Sequence, residues 1–302
     1  MPKTNINFPS KTFTLAGDLY TPDAITSNHK HAAIVVVHPF GGVKEQTAGL
    51  YAKQLAQNGF VTLAFDAAYQ GTSTGEPRYL EDPIQRAEDI KAAVTYLSTL
   101  DIVDNKRIGA LGICAGGEYV PFAAQTDVRI RAVATVSAVD IGGLLTRPFG
   151  GGPIKDGLRE SLVQAGELRI AEAKGEKPHL SHIVPTTKPA PEFPDLYKEG
   201  YDYYCTPRGQ HKNSNNWFVT RSIDLIASYD SYHFNELISP RPLLMIVGSI
   251  ADTLYFSQDA VKKAKEPKEL FIVDNKTHVG LYDDTSVTLP KLVAFMNENL
   301  FK

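Results

Sequence analysis

Only two of the 302 residues are cysteine, Cys114 and Cys205, too few for the disulfide framework of a small secreted fold. A reducing compartment is the simpler expectation. Charge of one sign is missing as well. Thirty-one Lys and Arg stand against 34 Asp and Glu, a formal net of −3, with no long run of either sign. Nothing there invites a polyanion, so nucleic acid is not expected as a partner. No apolar stretch approaches the roughly 20 residues of a membrane span. The N-terminal stretch "MPKTNINFPSKTFTLAGDLY" lacks the apolar core of a secretory signal. The expectation is a soluble, cytoplasmic protein with no membrane partner; a homo-oligomer is left open.

Several binding motifs are also absent. The glycines of "GGVKEQ" and "GICAGGE" do not have the spacing of a phosphate loop or a dinucleotide fingerprint. No histidine pair or cysteine cluster has zinc spacing, and His179 and His182 lie in a Pro-rich stretch expected to face solvent. No cofactor and no metal are implied.

What is present is an ordinary globular composition, 43% hydrophobic, on a chain long enough for a large core. Apolar runs of strand length alternate with stretches of helical period, the pattern of a mostly parallel sheet covered by helices. "TFTLAGDLYTP" alternates like an exposed antiparallel strand. "AAIVVVHP" (32–39), "VTLAFD" (61–66), "RIGALGI" (107–113), "RAVATVS" (131–137), "RPLLMIVGS" (241–249) and "KELFIVD" (268–274) read as buried strands. Helices are expected over 43–58, around Ala87, Ile90, Val94 and Leu97, over 156–174 and over 286–300. From about 140 to 238 the rhythm breaks into Gly, Pro and aromatic residues, with no strand pattern strong enough to extend the sheet. An excursion of that length is usually functional. One domain spanning 1–302, with a cap inserted over 140–238, is the expected organisation.

The stretch "ALGICAGGEY" (110–119) carries the chemistry. A strand, a Gly-x-nucleophile-x-Gly turn and a helix make the nucleophile elbow of α/β-hydrolases, where large flanking side chains would clash. Cys114 is the residue at its tip. At a helix N-terminus its pKa is expected to fall toward a reactive thiolate. The alternative is a buried cysteine that happens to lie between glycines. The elbow requires an acid and a base, in that order, after later strands. Asp252 follows "LLMIVGS" and His278 follows "LFIVDNK". Alone, each has an ordinary explanation, a helix N-cap and a surface histidine. Together, in order and at the carboxyl ends of strands, they predict a Cys114–His278–Asp252 triad.

The elbow also needs an oxyanion hole. The amide of Ala115 is one expected donor. In "VVVHPFGG" Pro39 has no N–H, which leaves the amide of Phe40, with Gly41 second. His38 is expected to brace that loop. Asp66, Tyr69 and Arg78 could brace the site or form an ordinary polar loop, and Glu118 could tune the thiol or face solvent. Eight aromatics crowd 201–234. Of these, Tyr203, Tyr204 and Trp217, with Tyr69, are the expected substrate contacts, although such rings can equally glue an insertion to its domain.

"VVVHPFGGVKEQTAGLYAKQLAQNGFVTLAFDAAYQGTSTGEPRYLEDP", "RIGALGICAGGEY", "YDYYCTPRG" and "GSIADTLYFS…THVGLYDD" resemble α/β-hydrolases allied to the hydrolase-like polyketide transferases. The elbow is more distantly similar to that of dienelactone hydrolase, which also uses cysteine. The resemblance spans nearly the whole chain. It implies an α/β-hydrolase fold, a doubly wound sheet with an inserted cap, with Cys114, Asp252 and His278 as triad and Phe40 and Ala115 at the oxyanion hole. Gly280, in place of a larger residue after the histidine, and Glu118 after the glycine pair depart from the pattern. The expected activity is acyl transfer from a small-molecule ester, thioester or lactone through an acyl-enzyme. The alternatives are a polyketide-type transfer to an acceptor other than water, and a silent binding module on a hydrolase fold.

Overall fold

The computed structural model describes residues 1–23 and 30–301. The N-terminal strands β1 (Lys3–Ser10) and β2 (Phe13–Tyr20) pair antiparallel along their full length. β3 (His31–Val37), α1 (Thr47–Gln57), β4 (Val61–Phe65), α2 (Pro83–Ser98), β5 (Val103–Ile113), α3 (Gly116–Thr126) and β6 (Ile130–Val136) then alternate. After β6 come α4 (Ile141–Thr146), α5 (Leu158–Ala173), β7 (Leu180–His182), α6 (Asp195–Cys205), β8 (Trp217–Val219) and α7 (Ile223–Ile226). The alternation resumes with β9 (Leu243–Gly248), α8 (Leu254–Lys263), β10 (Lys268–Val273), α9 (Gly280–Asp283) and α10 (Thr288–Leu300).

Eight strands form one sheet in the order β1-β2-β4-β3-β5-β6-β9-β10, parallel from β4 to β10. The continuous apolar strands follow from burial on both faces. Ala33, Val35 and Val37 of β3 join the core beneath α2 and α3, whereas Ala32, Ile34 and Val36 join the core beneath α1 and α10. α2 buries Ala87, Ile90, Val94 and Leu97 as one stripe; Pro83 sits at its start and Asp82 caps the amides of Ile84 and Gln85. β2 is antiparallel as its pattern implies, but it is mostly buried rather than exposed, because β1 takes the sheet edge beside it.

The sheet order reverses direction at β3, with β4 on one side and β5 on the other. Open α/β sheets bind ligands at such a switch, beyond the carboxyl ends of the strands. The loops after β3, β5, β6, β9 and β10 all leave from that end. The chain between β6 and β9 adds no strand to the sheet; β7 and β8 pair only with each other. α5 buries a single residue, Ala165, so its helical periodicity reflects an outlying helix.

Candidate active site

β5 ends at Ile113, and the next residue, Cys114, adopts a left-handed backbone with φ of 55°. For a side chain other than glycine this costs of the order of 1–3 kcal/mol and persists only where the surroundings enforce it. Here the Cys114 amide donates to Val136 O at 3.1 Å, and its carbonyl accepts from Gly117 at 2.8 Å and Val139 at 3.0 Å. The flanking glycines are steric necessities. A Cβ on Gly112 would lie 1.9 Å from Gly116 O, and one on Gly116 would lie 2.4 Å from Val37 O. These contacts explain the "GICAG" spacing.

The amides of Ala115 and Phe40 both point at the Cys114 sulfur. Phe40 is held by its loop. The His38 imidazole bonds Pro39 O at 2.7 Å through Nδ1, and its Nε2 accepts from the Ala67 amide at 3.2 Å and from Arg86 at 2.8 Å. Burial and the Arg86 guanidinium hold His38 neutral, well below the ordinary histidine range. His38 thus braces the loop, as its sequence context suggests.

Cys114 opens into a cavity of about 380 Å³ whose walls include Ile141, Leu144, Val184, Leu196, Tyr204 and Phe218. Among the described residues no carboxylate, lysine or arginine lines it, and His182 is its one ionisable nitrogen base. Burial in these walls pushes the Cys114 thiol up, against the pull of the Tyr282 hydroxyl and the two amides. The thiolate expected at a helix N-terminus is therefore not the resting form: desolvation outweighs the donors.

His278 is buried beyond the end of β10, with a pKa pulled down to about 3 by desolvation. Its Nδ1 pairs with Thr253 Oγ1 at 2.7 Å, and its Nε2 with the Tyr282 hydroxyl at 3.2 Å. The Asp252 partnership implied by the sequence is not formed. The Asp252 carboxylate accepts from Leu196 N at 3.0 Å, at the start of α6, and its other oxygen is buried without a partner. A helix N-terminus is a favourable seat for an anion, and it competes successfully for this one. Among the described residues no carboxylate contacts His278.

Of the four expected substrate contacts, only Tyr204 lines the cavity. Tyr203 is buried behind it, edge-on to Tyr204 and Tyr282. Trp217 stacks on His182 at 3.7 Å, and its neighbour Phe218 provides the wall instead. Tyr69 packs against Phe13 under the β2 side of the sheet. His182 is exposed, as expected, yet it also forms part of the cavity mouth.

The polar residues near the elbow have other partners. Asp66 accepts from the Lys44 ammonium, the Lys44 amide and the Thr72 amide, each at 2.8 Å. Arg78 donates to the carbonyls of Gly71, Ser73 and Gly75. Glu118 is neither solvated nor beside the thiol. It is fully buried and accepts from Ile141 N at 2.8 Å, and burial, with the adjacent Asp140, raises its pKa well above the ordinary glutamate value.

Sequence reasoning missed Tyr282 and Thr253. Each lies next to or one helical turn from a residue that it did find, Thr253 beside Asp252 and Tyr282 four residues past His278. Two adjacent polar residues in the loop after β9 offer no sequence signal for which of them turns inward.

Residues 15–138, from β2 to just past β6, match the dienelactone hydrolase family. The uncharacterized protein YcjY of Escherichia coli is 39% identical over 98% of this chain and 97% of its own length. The chain belongs to one family with YcjY, and the dienelactone hydrolase match covers its residues 15–138. The crystal structure of hypothetical protein PA2218 from Pseudomonas aeruginosa, 35% identical, superposes with a TM-score of 0.93 over 99% of this chain and 94% of that one. The polyketide transferase grgF of Penicillium is 26% identical over 99% of this chain and 98% of its own. The protein has the α/β-hydrolase fold and is an enzyme of the hydrolase and acyltransferase kind. The family match contains Phe40 and Cys114 but ends before Asp252, His278 and nearly all of the chain from α4 to α7. Among the described residues no helix is long and apolar enough to cross a membrane.

Proposed function

We propose that the protein transfers a neutral, apolar acyl group from an ester, thioester or lactone through a thioester at Cys114. One observation carries this reading: Cys114 is held in a strained left-handed turn, with two backbone amides aimed at its sulfur, at the floor of an uncharged cavity. Those amides stand where a tetrahedral oxyanion would need donors. His278 serves as the base, oriented by Thr253 at Nδ1. The residues from 140 to 238 act as a cap, since α4 and α6 together supply Ile141, Leu144, Leu196 and Tyr204 to the walls. An amide is a poorer substrate, because the thiolate leaves the tetrahedral intermediate more readily than an amine does.

Exposure to a panel of acyl esters and thioesters, followed by intact-mass analysis, should show one acyl adduct on the wild type and none on Cys114→Ala. An adduct that survives in Cys114→Ala, or maps to Cys205, overturns the assignment. Transfer to an acceptor other than water is a second reading. It is favoured by the apolar walls and by the likeness to a polyketide transferase. Turnover that requires an added alcohol or carbon nucleophile would establish it over hydrolysis.

A further inference from the structure

The hydroxyl of Tyr282 stands between the two groups that must exchange a proton. It lies 3.2 Å from His278 Nε2 and faces the Cys114 sulfur. In the tautomer whose Nδ1–H donates to Thr253 Oγ1, Nε2 is the basic site of the ring, and the tyrosine hydroxyl lies against it. The phenol is fixed from several sides. Its ring is buried and packs edge-on against Tyr203 at 5.1 Å; the Tyr282 amide donates to Val279 O at 3.0 Å, and its carbonyl accepts from Thr47 Oγ1 at 2.8 Å. Tyr282 also lines the cavity, whereas His278 does not.

We infer that Tyr282 relays the thiol proton of Cys114 to His278, an inference that rests on Cys114 being the nucleophile. In the resting enzyme the S–H donates to the Tyr282 oxygen, and the Tyr282 O–H donates to Nε2. When a carbonyl carbon approaches, the sulfur forms the new S–C bond and its proton passes to the tyrosine oxygen. The tyrosine's own proton passes to Nε2 in the same event. The carbonyl π pair moves onto oxygen, facing the amides of Phe40 and Ala115. The product is a tetrahedral oxyanion with an imidazolium, and Tyr282 is again a neutral phenol. When the C=O reforms, the leaving group departs and takes the imidazolium proton along the same path, in reverse. A hydroxyl that both accepts and donates suits this place, because thiol and imidazole are each neutral at rest and neither can ionise cheaply alone.

The test compares wild type, Tyr282→Phe and Cys114→Ala, following acylation by an activated ester in single turnover. Tyr282→Phe should lower the acylation rate at pH 7 by about 100-fold or more. Wild type should show a rate plateau around neutral pH. Tyr282→Phe should replace it with a rate that climbs about tenfold per pH unit, as hydroxide takes over removal of the thiol proton. A hydroxyl that only supports the fold would lower the rate without changing the shape of that profile. A Tyr282→Phe enzyme that keeps the neutral plateau overturns the relay. On wild-type protein, acylation rates across mixtures of light and heavy water should require two protons in flight. A fit to one moving proton overturns the relay whether or not the variant folds. The underlying reading fails separately: Cys114→Ala would still acylate.

Discussion

At the scale of single residues, the site differs most from the sequence pattern at its acid. The order nucleophile, acid, base is present in the chain, yet the carboxylate that completes the pattern is bound to the N-terminal turn of α6, and a hydroxyl orients the histidine. The two arrangements make opposite forecasts. If Thr253 orients His278, Thr253→Val should cut kcat by an order of magnitude or more. Asp252→Asn, which keeps an acceptor for Leu196 N, should retain most of the activity and lose about 1 kcal/mol of stability. A triad carboxylate would behave otherwise, with Asp252→Asn falling by roughly 10⁴-fold. Steady-state rates and melting curves for both variants separate the cases.

Legibility at the residue scale followed chemistry with a rigid geometric demand. Cys114, Gly112 and Gly116 were readable because the elbow tolerates almost no alternatives. Phe40 was readable because Pro39 cannot donate. Which of Asp252 and Thr253 faces the imidazole depends on where α6 begins, and α6 belongs to a segment whose composition gave no outline of a helix.

Elements show the same division. Five of the six strands read from the sequence were evident as apolar stretches, since burial on both faces leaves little other composition open to them. β10, expected to be buried, lies at the sheet edge and buries only Val273. β1 was not evident: "KTNINFPS" is mostly polar on its exposed face and carries a proline near its end, and it is held by its full-length pairing with β2. α6, "DLYKEGYDYYC", hid behind its glycine and aromatics. Gly200 is there because a Cβ would lie 2.7 Å from Val184 Cγ1, across the cavity wall.

The aromatics between α5 and β9 also sort by the element they serve. Phe218, on β8, lines the cavity and meets Phe40 at 5.4 Å. Tyr232 is buried against α3 and donates to Gly117 O at 3.2 Å. Phe218→Ala should shift acyl-chain preference toward larger groups with little change in melting temperature. Tyr232→Ala should cost roughly 3–5 kcal/mol and leave the preference unchanged. Substrate profiles that move together with stability in both variants would refute this division.

For the whole molecule, the buried ionisable groups set how stability depends on pH. His278 has a folded pKa of about 3, far below its unfolded value. Its contribution is therefore intact above about pH 6.5 and is lost as the pH falls toward 3, because the unfolded chain binds a proton that the folded site refuses. At pH 5 the loss is roughly 2 kcal/mol. Glu118 acts in the opposite sense. Burial beside Asp140 raises its pKa, so its contribution is intact below the unfolded value and shrinks as the pH rises. Glu118→Gln keeps an acceptor for Ile141 N while removing the proton that the unfolded chain gives up. The variant should melt above the wild type at pH 8, and the gap should close near pH 4. Melting curves at the two pH values check the sign, and a variant less stable at pH 8 would contradict it.

α6 holds the loop after β9 through Leu196 N and Asp252, and the loop after β10 through Glu199, which accepts from Val279 N at 3.1 Å. The segment that walls the cavity is therefore also a tie bar between the two loops that carry Asp252 and His278. It cannot be traded between homologues as a self-contained specificity cassette. A graft that brings a new wall but no anchors at positions 196 and 199 would release the histidine loop along with the old wall. Changes of substrate that spare turnover should instead accumulate at wall positions remote from those anchors, such as Leu144, Leu145 and Phe218.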